Sequence, residues 1–211
     1  MNKHKNKGKG AVIVMAYTSC AADIAANIAQ NCANPIVPGY TGRGILINWS
    51  DAPVLTVSGT NPRIITAITL SAGVKVAVVD NAGFEAPFTG STTASTGDDG
   101  VVRYDKTAVL NIPLRGAAVA KDIVEPLNRS ALGFLLILEK KDKVGNGSFE
   151  IIGAEQGLKA NPDGIQRNEY ENGGSVVATM STRENFFETV FFDTDYATTL
   201  AAFEALMAVA F

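Results

Sequence analysis

The side chains in this sequence that could do chemistry are few and widely spaced. The chain has one histidine, His4, which removes most serine–histidine and cysteine–histidine nucleophile schemes and most histidine metal sites. No phosphate-binding loop of the form G-x-x-x-x-G-K-[ST] occurs. Gly39, Gly42 and Gly44 lie close together, but no helix is predicted after them. A turn before a strand therefore explains them better than a dinucleotide site.

Two acidic pairs are the remaining candidates for metal binding. Asp98 and Asp99 lie in a glycine-bounded stretch and could bind a divalent cation weakly, although a solvated loop tip is the favoured interpretation. Asp193 and Asp195 could also be ligands. Helix capping explains this second pair more simply, because acceptors and negative charge suit a helix start.

The other reactive side chains have no visible partners in the sequence. Neither Glu155 nor Glu169 has a second group that would make an acid–base pair. Cys20 and Cys32 are twelve positions apart, and buried free thiols are favoured over a disulfide, which stays open as an alternative. We therefore predict that the chain is not an enzyme and has no catalytic, cofactor-binding or metal-binding residues.

The charge is distributed unevenly along the chain. Lys3, Lys5, Lys7 and Lys9 precede the first acidic residue, and the whole chain has a net charge of −3. Without these lysines, the remaining 14 basic residues face 21 acidic ones, which leaves −7. An acidic body argues against phosphate binding as the main function. The basic arm, residues 1–18, is predicted to be solvated and disordered; contact with nucleic acid and ordering against a neighbouring subunit are the alternatives.

The start of the chain also bears on secretion. An apolar run of six residues, 11–16, follows the lysines and precedes Tyr17 and Cys20. A signal core usually needs about seven residues or more, and Tyr17 is bulky for a lipoprotein cleavage site. Both features argue against a secretion signal. No run approaches the roughly twenty apolar residues of a membrane helix, so we predict no membrane partner.

Composition and periodicity predict one mainly β domain over residues 19–211, long enough to bury a core. Twenty glycines and eight prolines indicate many turns. An N-terminal helix is predicted at 19–32, where Ile24, Ile28 and Cys32 recur every four residues. A flanking helix is predicted at 116–124, and a C-terminal helix at 195–209.

Short β-branched or apolar runs predict the strands. They lie at residues 45–49, 54–58, 63–70, 74–79, 107–112, 133–138, 148–152, 176–181 and 186–192. The run 133–138 should be covered on both faces and should pair with 148–152, and the last two runs should form an antiparallel pair. Residues 90–100 and 160–172 are predicted to be polar loops.

Three stretches of this sequence resemble the tail-tube-like virion proteins of tailed bacteriophages, especially those of Bacteroidetes phages and prophages. The first is residues 31–35 (Asn-Cys-Ala-Asn-Pro), with the strand 44–49 after them. The second is the strand and turn 149–158. The third is Gly173-Gly174 before a strand, with Thr-Asp-Tyr-Ala-Thr-Thr at 194–199 opening the last helix. Residues 51–129 carry no such resemblance.

The resemblance implies a virion structural protein with an antiparallel β-sandwich or barrel, a flanking helix and a C-terminal helix. Such subunits form rings, sixfold in tubes or twelvefold in necks, around a channel through which genomic DNA passes transiently. The expected partners are copies of the same chain and adjacent tail or neck proteins. The expected location is the virion, in the tail or head–tail region, after synthesis in the host cytoplasm. Residues 90–100, the basic arm and the stretch after Ala160 are the candidates for contacts between rings.

The alternative is a protein of another class, a secreted or surface lipoprotein-like β-sandwich that binds carbohydrate or protein. It requires the N-terminus to act as a signal, with cleavage or lipidation near Cys20.

If the basic arm is an assembly element, deleting residues 1–9 should leave a folded protein that assembles poorly. Circular dichroism would check the fold, and light scattering would check assembly. Normal assembly of the truncated chain would eliminate this role for the arm.

Overall fold

The computed structural model describes residues 36–81, 88–113, 116–143, 145–167 and 175–211. Several expectations lie outside this part of the chain: the basic arm, the helix at 19–32, Cys20 and Cys32, the 31–35 motif, Glu169 and Gly173-Gly174. The strands within it are β1 (Tyr40–Asn48), β2 (Val54–Val57), β3 (Ile64–Thr69), β4 (Ala77–Asp80), β5 (Phe88–Thr96), β6 (Val102–Ile112), β7 (Phe134–Lys140), β8 (Phe149–Ile152), β9 (Lys159–Arg167), β10 (Val176–Glu184) and β11 (Thr189–Phe191).

These strands form two sheets. One has seven strands in the order β2-β3-β11-β8-β7-β1-β4, and the other has four in the order β5-β6-β10-β9. All pairings are antiparallel except that of β11 with β3, so the larger sheet is mixed. The expected mainly β fold is confirmed. Within the described residues neither sheet closes into a barrel.

Strand β7 explains why the layers stack as they do. Its leucines at 136 and 138 face the four-stranded sheet, where they pack with Leu110 and Met180. Its residues at 135 and 137 face the opposite way and pack with Phe203 of the C-terminal helix. Because successive side chains of a strand point to opposite faces, an unbroken apolar run requires cover on both sides. The prediction that both faces of 133–138 are covered is therefore confirmed.

The C-terminal helix, α3 (Tyr196–Met207), covers the outer face of the seven-stranded sheet. It begins where expected, because the carboxylate of Asp195 accepts a hydrogen bond from the backbone N–H of Thr198 at 2.7 Å. The ring of Phe203 lies 5.0 Å from that of Phe149 on β8, measured between centroids. Each large apolar side chain buried in this way contributes about 2 kcal/mol, so α3 is held mainly by its apolar face.

A second helical segment packs beside the core between the sheets. It consists of α1 (Ala117–Val119), a π-helical turn (Ala120–Val124) and α2 (Glu125–Arg129). Val119, Ile123 and Leu127 face the core, as the apolar spacing of this segment predicts, whereas Ala118, expected on the same side, is exposed. The predicted end at residue 124 is wrong, since the helix continues through Pro126. A proline is tolerated in the first turn of a helical piece, and the wider π turn precedes it.

Two segments predicted to be polar loops form strands instead. Residues 88–96 form β5, and only residues 97–100 turn. Threonine is β-branched and suits a strand, so a polar composition was misread as a loop. Residues 159–167 form β9 despite Pro162 and Gly164, because β9 is an edge strand and its pairing with β10 shifts register between Ala178 and Met180.

The predicted final antiparallel pair is also wrong. Strand β10 lies between β6 and β9 in the four-stranded sheet. Strand β11 lies in the other sheet, parallel to β3 and antiparallel to β8. The chain therefore changes sheets between Glu184 and Thr189. Pairing between strands that are distant in the sequence cannot be predicted from the local pattern of either strand.

A buried ion pair lies beside this crossing, and its carboxylate links the two sheets. Lys106 of β6 pairs with Glu184 of β10, and their side chains are 1% and 0% exposed. The second carboxylate oxygen of Glu184 accepts hydrogen bonds from the backbone N–H groups of Gly153 and Ala154, both at 2.8 Å. These two residues follow β8 of the other sheet. Both oxygens of the Glu184 carboxylate are thus hydrogen-bonded, which favours tolerance of the buried charges.

Replacing Lys106 by methionine would leave the Glu184 carboxylate buried without its cation. We expect Lys106→Met to lower the free energy of unfolding by about 3 kcal/mol, measured by urea denaturation with circular dichroism. Adding Glu184→Gln should recover part of this loss, because no buried charge remains and the amide oxygen can still accept from Gly153 and Ala154. Lys121→Met is the control, since that side chain is 82% exposed. Equal stability of Lys106→Met and the control would contradict this account.

Candidate functional site

Of the acidic residues considered as metal ligands, Asp98, Asp99, Asp193 and Asp195, the second and the last are occupied by other contacts. Asp99 closes the β5–β6 turn, where its carboxylate accepts hydrogen bonds from the Arg103 guanidinium at 2.6 and 3.1 Å and from the Val101 N–H at 3.0 Å. Asp195 caps α3, as expected. The described residues contain no group of three or more histidine, cysteine, aspartate or glutamate side chains placed to hold a metal ion.

The glycine cluster and Glu155 also have structural roles. Gly39 lies before β1, but Gly42 and Gly44 lie within it, where the pairing with β7 is irregular. Gly42 has a φ of 95°, which favours glycine. The expected turn before the strand is thus partly replaced by a bulge inside it. The Glu155 carboxylate accepts hydrogen bonds from the backbone and side-chain amides of Asn185, the latter at 2.6 Å.

Sequence reasoning missed a buried carboxylate on the helix side of the large sheet. Glu139 ends the apolar run of β7, and its side chain is 1% exposed. It accepts hydrogen bonds from the hydroxyls of Thr41 and Tyr196, both at 2.9 Å, and from Arg43 at 3.4 Å. Arg43 also pairs with Glu204 of α3 at 3.0 Å. This cluster links α3 to the sheet. The only feature of the sequence that could have predicted it is a charged residue at the end of an apolar strand.

A second cluster lies on the opposite face of the same strands. The Tyr40 hydroxyl donates to Glu150 at 2.9 Å, and Lys140 pairs with Glu150 at 3.2 Å and with Glu188. Burial, followed by the nearby charge of Glu150, raises the pKa of Tyr40 above its usual range. Each acid here is matched by a donor, so the arrangement stabilises the strands rather than presenting a free base or nucleophile.

Among the described strands, the outer edges of the two sheets are the most distinctive exposed features. Strand β5 is nine residues long, pairs with β6 without a register shift, and contains neither a charged residue nor a proline. Native proteins usually protect such edges with charges, prolines, bulges or short strands. The other three edges have such protection: β9 has Pro162 and a register shift, β2 has four residues and a register shift, and β4 has four residues.

The edges define two flanks of the molecule. The ring of Tyr40 on β1 contacts that of Phe88 on β5 at 6.0 Å between centroids, and the Asn81 amide after β4 donates to the Asn111 carbonyl of β6 at 2.7 Å. Strand β10 lies over the turn after β8 through Glu184. The free edges of β4 and β5 therefore share one side, here called the β4/β5 flank. At the opposite ends of the two sheets lie β2 and β9, here called the β2/β9 flank.

The outer face of the four-stranded sheet is polar and balanced in charge. Arg103 pairs with Asp99, and Arg183 pairs with Asp105 at 2.6 Å. Hydroxyl side chains occupy many of the remaining outward positions: Thr89, Ser91, Thr93, Ser95, Thr107, Thr179 and Ser181. Val109 and Val177 interrupt them. On β5, β6 and β10 this face therefore offers hydrogen-bonding groups and paired charges, and the exposed Lys159 of β9 lies opposite Ser181.

Comparison with known protein families, with curated proteins and with solved structures found no match to this chain. Among the described helices, none has both the length and the apolar content that crossing a membrane requires.

The hydrogen bonds from Arg103, together with that from Val101, lower the pKa of the Asp99 carboxyl to about 2. We expect Arg103→Gln to raise this pKa toward the usual value of about 3.9, measured by NMR titration of the carboxyl carbon. Because the native pKa is depressed, any stabilisation from this contact is complete above the usual pKa and is lost as pH falls through about 2.

Asp195 is the internal control for this titration. Its pKa is lowered by hydrogen bonds from Thr198, so Arg103→Gln should leave it unchanged. An unchanged pKa of Asp99 in the variant would show that Arg103 does not hold the turn.

Proposed function

We propose that this chain is a self-assembling virion structural subunit of the phage tail-tube type, which forms a ring around a channel for DNA. The observation that carries the proposal is β5, a long, regular and uncharged edge strand on the four-stranded sheet. Such an edge is a ready template for pairing with another chain. A ring provides that partner in a defined way, because each edge meets a neighbour and the assembly closes.

In this arrangement β5 of one subunit pairs with β9 of the next. The contact is heterologous, since it joins two different edges, and a rotation that closes gives a ring. Pro162 and the register shift in β9 restrict pairing to part of that strand, which limits uncontrolled growth. Six copies would form a barrel of about 24 strands, with a diameter of roughly 37 Å from a strand spacing of about 4.8 Å before tilt. A twelvefold neck ring is the larger alternative.

The outer face of the four-stranded sheet suits the channel. Its two arginines, Arg103 and Arg183, are each paired with an aspartate, and the hydroxyl groups around them are neutral. Unpaired basic groups would bind phosphates and hold the DNA. A neutral lining on a chain that is acidic after its first nine residues would let DNA pass without adhering.

The resemblance to tail-tube proteins adds support from a separate source. Within the described residues its motifs lie in regular elements: the 44–49 motif mostly in β1, the 149–158 motif in β8 and the turn after it, and the 194–199 motif at the start of α3. The binding-module alternative depends on processing near Cys20, outside the described residues.

Lysines on the β5 edge should prevent ring closure, because like charges repel and are a natural protection of edge strands. We expect Ser91→Lys/Thr93→Lys to remain folded by circular dichroism and to lose rings in negative-stain electron microscopy. The matched control is Ala201→Lys/Ala205→Lys, which adds the same charge on the exposed side of α3. Rings of normal size and number from the β5 variant would refute edge pairing through β5.

A further inference from the structure

An apolar cleft opens on the β2/β9 flank, at the edge of the seven-stranded sheet. It encloses about 260 Å³ and is lined by Leu55, Val57, Pro62, Ile65, Ala154, Glu155, Phe186 and Thr189. Val57 at its rim is 50% exposed. An apolar cavity with a few polar groups is the usual form of a binding site. The cleft therefore has the size and lining to take a large apolar side chain.

One polar atom in the cleft lining lacks a partner. Thr189 is buried, and its hydroxyl oxygen has no hydrogen-bond partner among the described residues. A buried hydroxyl without a partner is costly. The oxygen is shielded from solvent, so an occupant of the cleft can satisfy it only if the lining shifts to admit a backbone carbonyl or N–H group.

A matching segment lies on the β4/β5 flank of the same sheet. After α3 the chain returns to the β4 edge, where Val76 donates to the carbonyl of Val209 at 3.4 Å and Phe211 donates to the carbonyl of Val76 at 3.3 Å. The Phe211 side chain is 85% exposed, and Val209 and Val78 are also exposed. We call residues 209–211 the apolar knob.

The charges beside the knob and the cleft are complementary. The Lys75 ammonium lies beside the knob, where it donates to the carbonyl of Ala210 at 3.3 Å. Glu155 forms part of the cleft wall. Within the described part of the chain, neither Lys75 nor Glu155 forms an ion pair. Docking the knob of one copy into the cleft of another would bring these two charges together.

We infer that the cleft on the β2/β9 flank binds the apolar knob of a second copy of this chain. The contact rests on the proposed ring, since it is also heterologous and joins the same two flanks as the pairing of β5 with β9. The larger sheet thereby contributes a second, side-chain-mediated contact to the interface. Phe211 fills the cleft, and Lys75 meets Glu155.

The test measures self-association of the full chain by sedimentation velocity, with negative-stain microscopy on the same samples. Phe211→Ala should raise the concentration at which half the protein is assembled by about tenfold, because a large apolar side chain no longer leaves water. Leu132→Ala is the control, since Leu132 is also exposed but lies on neither edge. An equal effect of the two substitutions would overturn the inference.

A charge exchange tests the pairing itself. Lys75→Glu and Glu155→Lys should each weaken assembly, and the double variant should restore it, since opposite charges again face each other. Lack of rescue overturns the knob-and-cleft contact. If every variant still forms intact rings, the knob-and-cleft contact is overturned, whereas the proposed ring stands. If the double variant recovers only a small oligomer that never forms a closed ring, the contact is supported and the ring is refuted. A wild-type chain that stays monomeric at high concentration overturns both.

Discussion

The burial of β7 on both faces is the constraint on which the rest of the structure depends. An apolar strand in the middle of a sheet needs a layer above and a layer below. The four-stranded sheet supplies one and α3 supplies the other. The polar contacts follow from this stacking: Glu184, paired with Lys106, links the two sheets through the N–H groups of Gly153 and Ala154, and Glu139 with Tyr196 joins the sheet to the helix.

This stacking buries both faces of β7 but leaves the edge strands of both sheets without a further strand partner among the described residues. Covering a face requires side chains, whereas covering an edge requires another strand with its own backbone groups. The chain protects three edges by shortness, register shifts or proline and leaves β5 regular over nine residues. The proposed ring uses this difference, because assembly supplies β5 with a partner that the described part of the chain does not provide.

The sequence predicted the elements whose pattern is set locally. The run 133–138, its pairing with 148–152 and the cap at Asp195 depend on alternation and on helix-start chemistry. Prediction from the sequence failed where the amino-acid composition was misleading or where the pairing strands are distant in the sequence. The threonines of β5 suggested a loop, and β10 and β11 suggested one hairpin although they lie in different sheets. The candidate interface was equally hidden, since an edge exists only once the strand order is known.

Negative-stain electron microscopy of the purified full chain, with light scattering on the same sample, would show whether this chain forms rings. We predict rings or short tubes with a central hole, and their symmetry would separate a sixfold tube from a twelvefold neck ring. A homogeneous monomer at high concentration, without rings, would contradict the proposal that this chain is a ring-forming subunit.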